Sequence, residues 1–354
     1  MAGESARKRV GIRLPRHVTP QSAEQRWAHE LEALAPIADI IEIHADTPAE
    51  FAAAAGDLDA IITSWGIRID QEIIGALKRC VVIGVGGVGV DMVDVEAATV
   101  AGIVVTNVPD VFIEEVADHA MMLLLNVARM TPLMAKMARE GQWYEARPIL
   151  SRRDRLLGST LGLYSFGNVA RATARRAMAF GLRVIAYDPY VSELEIIDAG
   201  VEPVSFGELL ERSDYLSVHA PHNTETEHSI NAAALRRMKP TAGLINTARG
   251  PIVDEAALIE ALRDGVIAGA GLDVIETEPA STDNPLLTMD NVIVTPHIAS
   301  ASTRMRPEAR RRVGREVAMV LRGRWPMSCV NPTVLPRAVL ERWQPYPMNR
   351  GPNR

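Results

Sequence analysis

Apolar residues in the first hundred positions fall in short runs separated by stretches of helical period. The runs at 9–14, 39–44, 59–63 and 80–85 have the length and β-branched content of strands. Between them, 21–35, 48–55 and 70–78 carry the spacing of amphipathic helices. Gly84 to Asp91 is a glycine-rich turn after a strand, followed by a helix over 92–101 and a strand over 103–106. This alternation predicts a parallel sheet with helices on its faces. Asn107-Val108-Pro109-Asp110 breaks the pattern, and a long helical stretch begins at Glu114, with Pro132 as its kink or junction. Trp143 and a basic, proline-containing loop over 145–155 follow.

The alternation restarts at 160. Strands over 160–164, 183–187, 214–218, 242–246, 268–272 and 291–294 are separated by helices over 168–180, 192–199, 206–212, 231–238 and 254–263. They predict a second, doubly wound domain. A helix over 304–322 is long enough to return to the first domain. The segment 336–354 is rich in Pro, Arg and Asn and is expected to pack poorly. The expected fold is α/β, with two doubly wound parallel sheets, and 354 residues suit two cores better than one.

Three segments of the second domain carry the chemistry: Asn246-Thr247-Ala248-Arg249-Gly250, Gly271-Leu272-Asp273-Val274-Ile275-Glu276-Thr277-Glu278-Pro279 and Thr295-Pro296-His297-Ile298-Ala299. Each follows an apolar run. Together they offer a fixed cation, a carboxylate and an imidazole. Interconversion of a 2-oxo and a 2-hydroxy acid needs those groups: a guanidinium to hold the carboxylate and polarise the carbonyl, an imidazole to move the hydroxyl proton, and an acid to support it.

Upstream, Thr160-Leu161-Gly162-Leu163-Tyr164-Ser165-Phe166-Gly167-Asn168-Val169-Ala170 reads as strand, turn and helix. A dinucleotide fingerprint needs its middle glycine for close approach to pyrophosphate, which Gly167 supplies, and Ala170 suits the third position. Ser165 departs from the first glycine. The helix that opens here can hold phosphate on its first amides. Asp188, about 20 residues on at the end of the next strand, stands where an acid binds the ribose diol. It would repel a 2′-phosphate, so NAD is expected over NADP. The alternative is that Asp188-Pro189 merely starts a turn.

The net charge of -6 and the mixed surface charge give no reason to expect nucleic acid. No apolar run reaches the ~20 residues of a membrane span, and the N-terminus does not read as a signal peptide. Two cysteines, Cys80 and Cys329, cannot build a disulfide framework and suit a reduced, cytoplasmic protein. His219, His222 and His228 are joined by no cysteine and are not taken as a metal site. Met121, Met122, Met130, Met134 and Met137 suit core or dimer packing. The basic run from Arg304 to Arg315 is interrupted by Glu308 and suits a solvated helix face.

With these pieces in order, the chain resembles the D-isomer-specific 2-hydroxyacid dehydrogenases from about residue 58 to 332. Besides the three segments, the resemblance rests on Gly87-Val88-Gly89-Val90-Asp91, Glu115-Val116-Ala117-Asp118-His119-Ala120, Gly141-Gln142-Trp143, the stretch from Ala179 to Pro189, and Val218-His219-Ala220-Pro221. Asn107-Val108-Pro109-Asp110 and the Glu114 helix look most similar to the branch with C-terminal-binding-protein-like members. On this resemblance, the regulatory C-terminal domain of some phosphoglycerate dehydrogenases is not expected.

The resemblance implies a discontinuous, flavodoxin-like substrate domain (about 1–112 and 305–335) and an inserted NAD-binding Rossmann domain (about 113–304), with 336–354 as a tail. It implies Arg249, Glu278 and His297 as catalytic residues, Glu278 being preferred to Glu276 because it precedes the proline. It implies cofactor contacts from Ser165, Phe166, Gly167, Asn168, Val169, Asp188, His219, Pro221, Thr226, Thr247, Ala248, Asp273 and His297, with Asp273 near the nicotinamide carboxamide. The substrate, a small 2-hydroxy or 2-oxo acid, would meet backbone N–H groups of Gly87, Val88 and Gly89 together with Arg249 and His297. Val85 stands where many relatives have a polar or basic residue, which points away from a phosphorylated substrate. Further substrate walls are expected near 64–67, 110–113 and 298–302. A homodimer is implied. An NAD(H)-sensing, corepressor-like binding protein with weak or no turnover is the alternative to an enzyme.

Overall fold

The structure is a computed structural model that describes residues 6–14, 22–63, 66–151 and 154–342. The chain divides into two compact units, Met1–Val111 with Ser302–Arg354, and Phe112–Ala301.

The first unit is built on five parallel strands: β1 (Lys8–Arg13), β2 (Ala38–Ile43), β3 (Ala60–Thr63), β4 (Val82–Val85) and β5 (Val104–Thr106). Their order is β2-β1-β3-β4-β5, the flavodoxin-like winding. β3, β4 and β5 are buried along their whole length, as near-continuous apolar runs between two helical layers must be. The helices start where side-chain caps satisfy their first amides. Thr47 and Glu50 form a capping box ahead of the Pro48–Ala55 helix, and Asp70 and Asp94 cap the next two. The stretch expected as one helix at 21–35 is two, Ala23–Arg26 and Ala28–Leu34, parted at Trp27. The Met305–Leu321 helix belongs to this unit and is tied to the Ala28–Leu34 helix by the buried Glu30, which takes two bonds from Arg310 at 2.6 and 2.7 Å.

None of residues 336–342 is buried, yet the segment is tied down at two points: the Arg337 guanidinium donates to the carbonyls of Leu77, Cys80 and Ala101, and Arg342 stacks on Trp325. One arginine can satisfy several orphan carbonyls, which a compositional reading cannot see. The rest of the expected tail, 343–354, lies outside the described residues, as do Ser64 and Trp65 of the expected substrate wall. Val85 is 2% exposed, within the apolar core of this unit.

The second unit has seven parallel strands: β6 (Thr160–Tyr164), β7 (Arg183–Tyr187), β8 (Glu202–Pro203), β9 (Tyr215–Val218), β10 (Gly243–Asn246), β11 (Gly269–Leu272) and β12 (Val292–Val294). Their order is β12-β11-β10-β9-β6-β7-β8. The order reverses between β6 and β9, the switch point at which such sheets bind ligands. β8, two residues long, is too short for any periodicity to reveal. The Ile113–Arg129 helix lies so close on β11 that a Cβ at Gly271 would sit 2.9 Å from that of Leu123. It ends at Met130, in a left-handed conformation (φ 48°), and Thr131–Arg139 starts afresh with Pro132 in its first turn. The expected loop after Trp143 is a helix, Trp143–Leu150, that contains Pro148. The proline forfeits one bond to the carbonyl of Tyr144, a residue 90% exposed. Among the described residues no helix is long and apolar enough to cross a membrane.

Candidate functional site

Parallel strands deliver the predicted residues to one rim of the second unit, just past the carboxyl ends of the strands. Ser165 follows β6, Asp188 follows β7, His219 follows β9, Thr247 to Arg249 follow β10, Asp273 follows β11 and His297 follows β12.

Asn246, 1% exposed, builds the turn after β10 with its side chain, accepting from the Ala248 N–H and donating to the Arg249 carbonyl. Gly250 then passes the turn after β11 so closely that a Cβ would lie 1.8 Å from the Ile275 oxygen. The two acids of that second turn separate cleanly. Glu278 Oε2 meets His297 Nδ1 at 2.6 Å, and its Oε1 accepts from the Ile275 N–H. Glu276 bonds His228 Nε2 at 2.8 Å and the Glu255 N–H. The bond to Glu276 raises the His228 pKa above the usual imidazole value.

His297 is held in a left-handed conformation (φ 51°), its N–H donating to the Asp273 and Thr295 carbonyls. Asp273, 2% exposed, anchors this loop. Its carboxylate accepts from Thr295 Oγ1 at 2.6 Å and from the Ile298 and Ala299 amides, with His119 Nε2 at 3.3 Å. Burial pushes its pKa up, but the bonds from His119, Thr295 and the two amides outweigh it and hold the carboxyl below its usual value. Asp273, expected beside the cofactor, therefore spends its oxygens on the loop that carries His297. His119 also reaches Thr295 Oγ1 at 2.8 Å. The sequence offered His119 only as part of a family motif, with no sign that it supports a loop 176 residues away.

Four features of the rim suit a dinucleotide. A Cβ at Gly167 would meet nothing within 4 Å, so the space over the turn is open. The Asn168–Ala179 helix has no side-chain cap and no acid in its first turn, leaving its amides and dipole to an anion. Thr247 Oγ1 and His222 Nε2 are buried without a partner among the described residues, on loops of the same rim. Among the described residues Asp188 pairs with no cation: its carboxylate is held by Ser165 Oγ and the Phe166 and Tyr190 amides. The set fits NAD.

Other predicted contacts are placed less tellingly. His219 Nε2 bonds Ser217 Oγ at 2.9 Å, and burial pushes its pKa down to about 4, so the ring is neutral. The Thr226 hydroxyl is used within its own loop, donating to the Pro221 carbonyl and accepting from the Asn223 N–H. In the first unit, the Gly87 and Val88 carbonyls accept from Val108 N–H and Asn107 Nδ2, while no described acceptor takes the N–H groups of Gly87, Val88 or Gly89.

A family model described as D-isomer specific 2-hydroxyacid dehydrogenase, NAD binding domain, matches residues 121–299. A glyoxylate reductase of Korarchaeum cryptofilum is 42% identical over 280 residues, which are 79% of this chain and 84% of that protein. A D-3-phosphoglycerate dehydrogenase of Methanocaldococcus jannaschii is 38% identical over 291 residues, 82% of this chain and 55% of that enzyme, so the chain spans little more than half its length. A crystal structure of D-lactate dehydrogenase from Aquifex aeolicus, complexed with NAD and lactic acid, matches with a TM-score of 0.77 at 28% identity, covering 89% of this chain and 96% of that one.

Proposed function

The chain belongs to the D-isomer-specific 2-hydroxyacid dehydrogenases, NAD-dependent oxidoreductases of 2-hydroxy and 2-oxo acids, and on that premise we propose that Arg249, His297 and Glu278 carry the reaction on a small 2-oxo acid such as glyoxylate. The observation that carries this reading is the 2.6 Å contact of Glu278 with His297 Nδ1. It fixes the orientation of the ring, and the proton transfer is assigned to Nε2. The corepressor-like alternative is not favoured, since relatives at 42% and 40% identity are glyoxylate reductases.

NADH supplies the hydride for C2 when bound. Arg249 pairs with the substrate carboxylate and aims a donor at the carbonyl oxygen, where negative charge grows. His297 Nε2 gives that oxygen its proton, and Glu278 holds the imidazolium in place; in the reverse direction His297 takes the hydroxyl proton. Gly167 with the Asn168 and Val169 amides would hold the pyrophosphate, Asp188 the ribose diol, and the loops at Phe166, His219, Pro221, Thr226, Thr247, Ala248 and Asp273 the rest of the dinucleotide. In the first unit, Gly87, Val88 and Gly89 keep their reading as amide donors to a carboxylate. The glyoxylate reductase relatives and the small acid of the D-lactate dehydrogenase complex support a short substrate. The reading extends to a cytoplasmic homodimer without nucleic-acid or membrane partners. It is supported by two free cysteines and by the exposed aromatic face of Trp143 and Tyr144.

The test is NADH consumption with glyoxylate, hydroxypyruvate, pyruvate, phenylpyruvate and 2-oxoglutarate, with chiral analysis of the products that carry a stereocentre. Turnover of the smaller acids, with D products, is expected. Turnover of none of them, with NADH bound tightly, would sink the proposed substrate class.

A further inference from the structure

Ser165 stands where a dinucleotide turn ordinarily has its first glycine, and its φ of 77° lies in the left-handed region. That conformation is easy for glycine and strained for serine. The serine hydroxyl has a distinct partner. Ser165 Oγ donates to Asp188 Oδ2 at 2.9 Å, and the Phe166 N–H donates to the same oxygen at 2.8 Å. The Tyr190 N–H donates to Oδ1 at 2.8 Å. Both oxygens are thus fixed by neutral donors. The Tyr190 hydroxyl in turn bonds Glu225, so a second acid stands nearby.

A glycine at 165 would leave Oδ2 with one backbone donor and free the side chain to turn away. With the hydroxyl, the carboxylate is held in one orientation by donors that carry no charge. We propose that Ser165 is a positioning residue whose hydroxyl locks Asp188 and thereby sets the preference for NAD(H) over NADP(H). It rests on the reading of Asp188 as the acid that meets the ribose diol. The diol brings two O–H donors that suit the lone pairs left on Asp188. A 2′-phosphate brings only acceptors and negative charge, and faces a carboxylate that cannot swing aside. Ser165 acts through Asp188, and its strained backbone is tolerated for that contact.

The experiment is fluorescence titration of the purified protein with NADH and with NADPH, for the wild type, Ser165→Ala, Ser165→Gly and Asp188→Ala, beside thermal melts of the four proteins without ligand. Loss of a hydrogen bond to a charged group predicts that both Ser165 variants narrow the NADPH-to-NADH ratio of Kd values by about tenfold. The glycine variant should melt no lower than the wild type, because it relieves the strained φ, so its altered preference cannot come from unfolding. If Asp188→Ala collapses the ratio while both Ser165 variants keep the wild-type value, the inference fails and the cofactor reading stands. If the glycine variant keeps the wild-type ratio and only the alanine variant changes, backbone shape and not the hydroxyl is responsible, and the inference also fails. If Asp188→Ala leaves the ratio unchanged, the cofactor reading fails, and the inference with it.

Discussion

Replacing His297 with alanine should lower kcat for 2-oxo acid reduction by about 10² to 10⁴-fold, the usual contribution of a positioned general acid or base. The loss should fall on the chemical step. Asp273, Thr295 and His119 hold the loop through the His297 backbone and its neighbours, so the alanine protein should fold and bind NADH as before. Glu278 would lose its imidazole partner but keep the Ile275 N–H, and it is about a third exposed, so no uncompensated buried charge results. Stopped-flow decay of NADH absorbance under single-turnover conditions, with NADH affinity measured separately, checks this. A variant with wild-type hydride transfer would remove His297 from the chemistry.

The second large effect is expected at Gly250, which touches no reacting atom. An added Cβ would lie 1.8 Å from the Ile275 oxygen, 2.0 Å from its carbon and 2.6 Å from the Glu276 nitrogen. All three are backbone atoms, which cannot turn aside as a side-chain tip can. Either the turn that carries Arg249 or the turn that carries Glu278 must shift. Gly250→Ala should therefore cost about 1–3 kcal/mol of stability as overpacking. It should also lower turnover by about 10²-fold, because displacements near 1 Å have that effect on positioned groups. Thermal melts and kcat/KM on the same preparation test it. An alanine protein with unchanged melting and turnover would mean that the two turns are not held in mutual register.

Much of the fold was legible because each unit repeats one local rule. Buried parallel strands read as apolar runs, and the helices between them as apolar positions at helical spacing. The rim was legible for the same reason, since each polar residue follows its strand by a few positions. What escaped is what joins distant segments. His119 supports Thr295, Arg337 closes the carbonyls of Leu77 and Ala101, and Gly250 yields to Ile275. None of these pairs leaves a periodic trace. The two acids at 276 and 278 illustrate the limit: spacing alone could not choose between them, while the geometry pairs one with His228 and the other with His297. Ser165 is the reverse case. The departure was visible as a residue, but its φ and its bond to Asp188 needed the folded turn.

An Arg249 that holds the substrate carboxylate and polarises the carbonyl should, when lost, affect the acid and not NADH. The measurement that tests it most directly is steady-state kinetics of the wild type and Arg249→Ala on the best acid of the panel, at saturating NADH, with NADH affinity determined in parallel. The expected result is a raised KM for the acid and a kcat lowered by about 10² to 10³-fold, as when one oxyanion donor is removed, with NADH affinity unchanged. Wild-type kinetics in the variant, or a loss confined to NADH affinity, would contradict it.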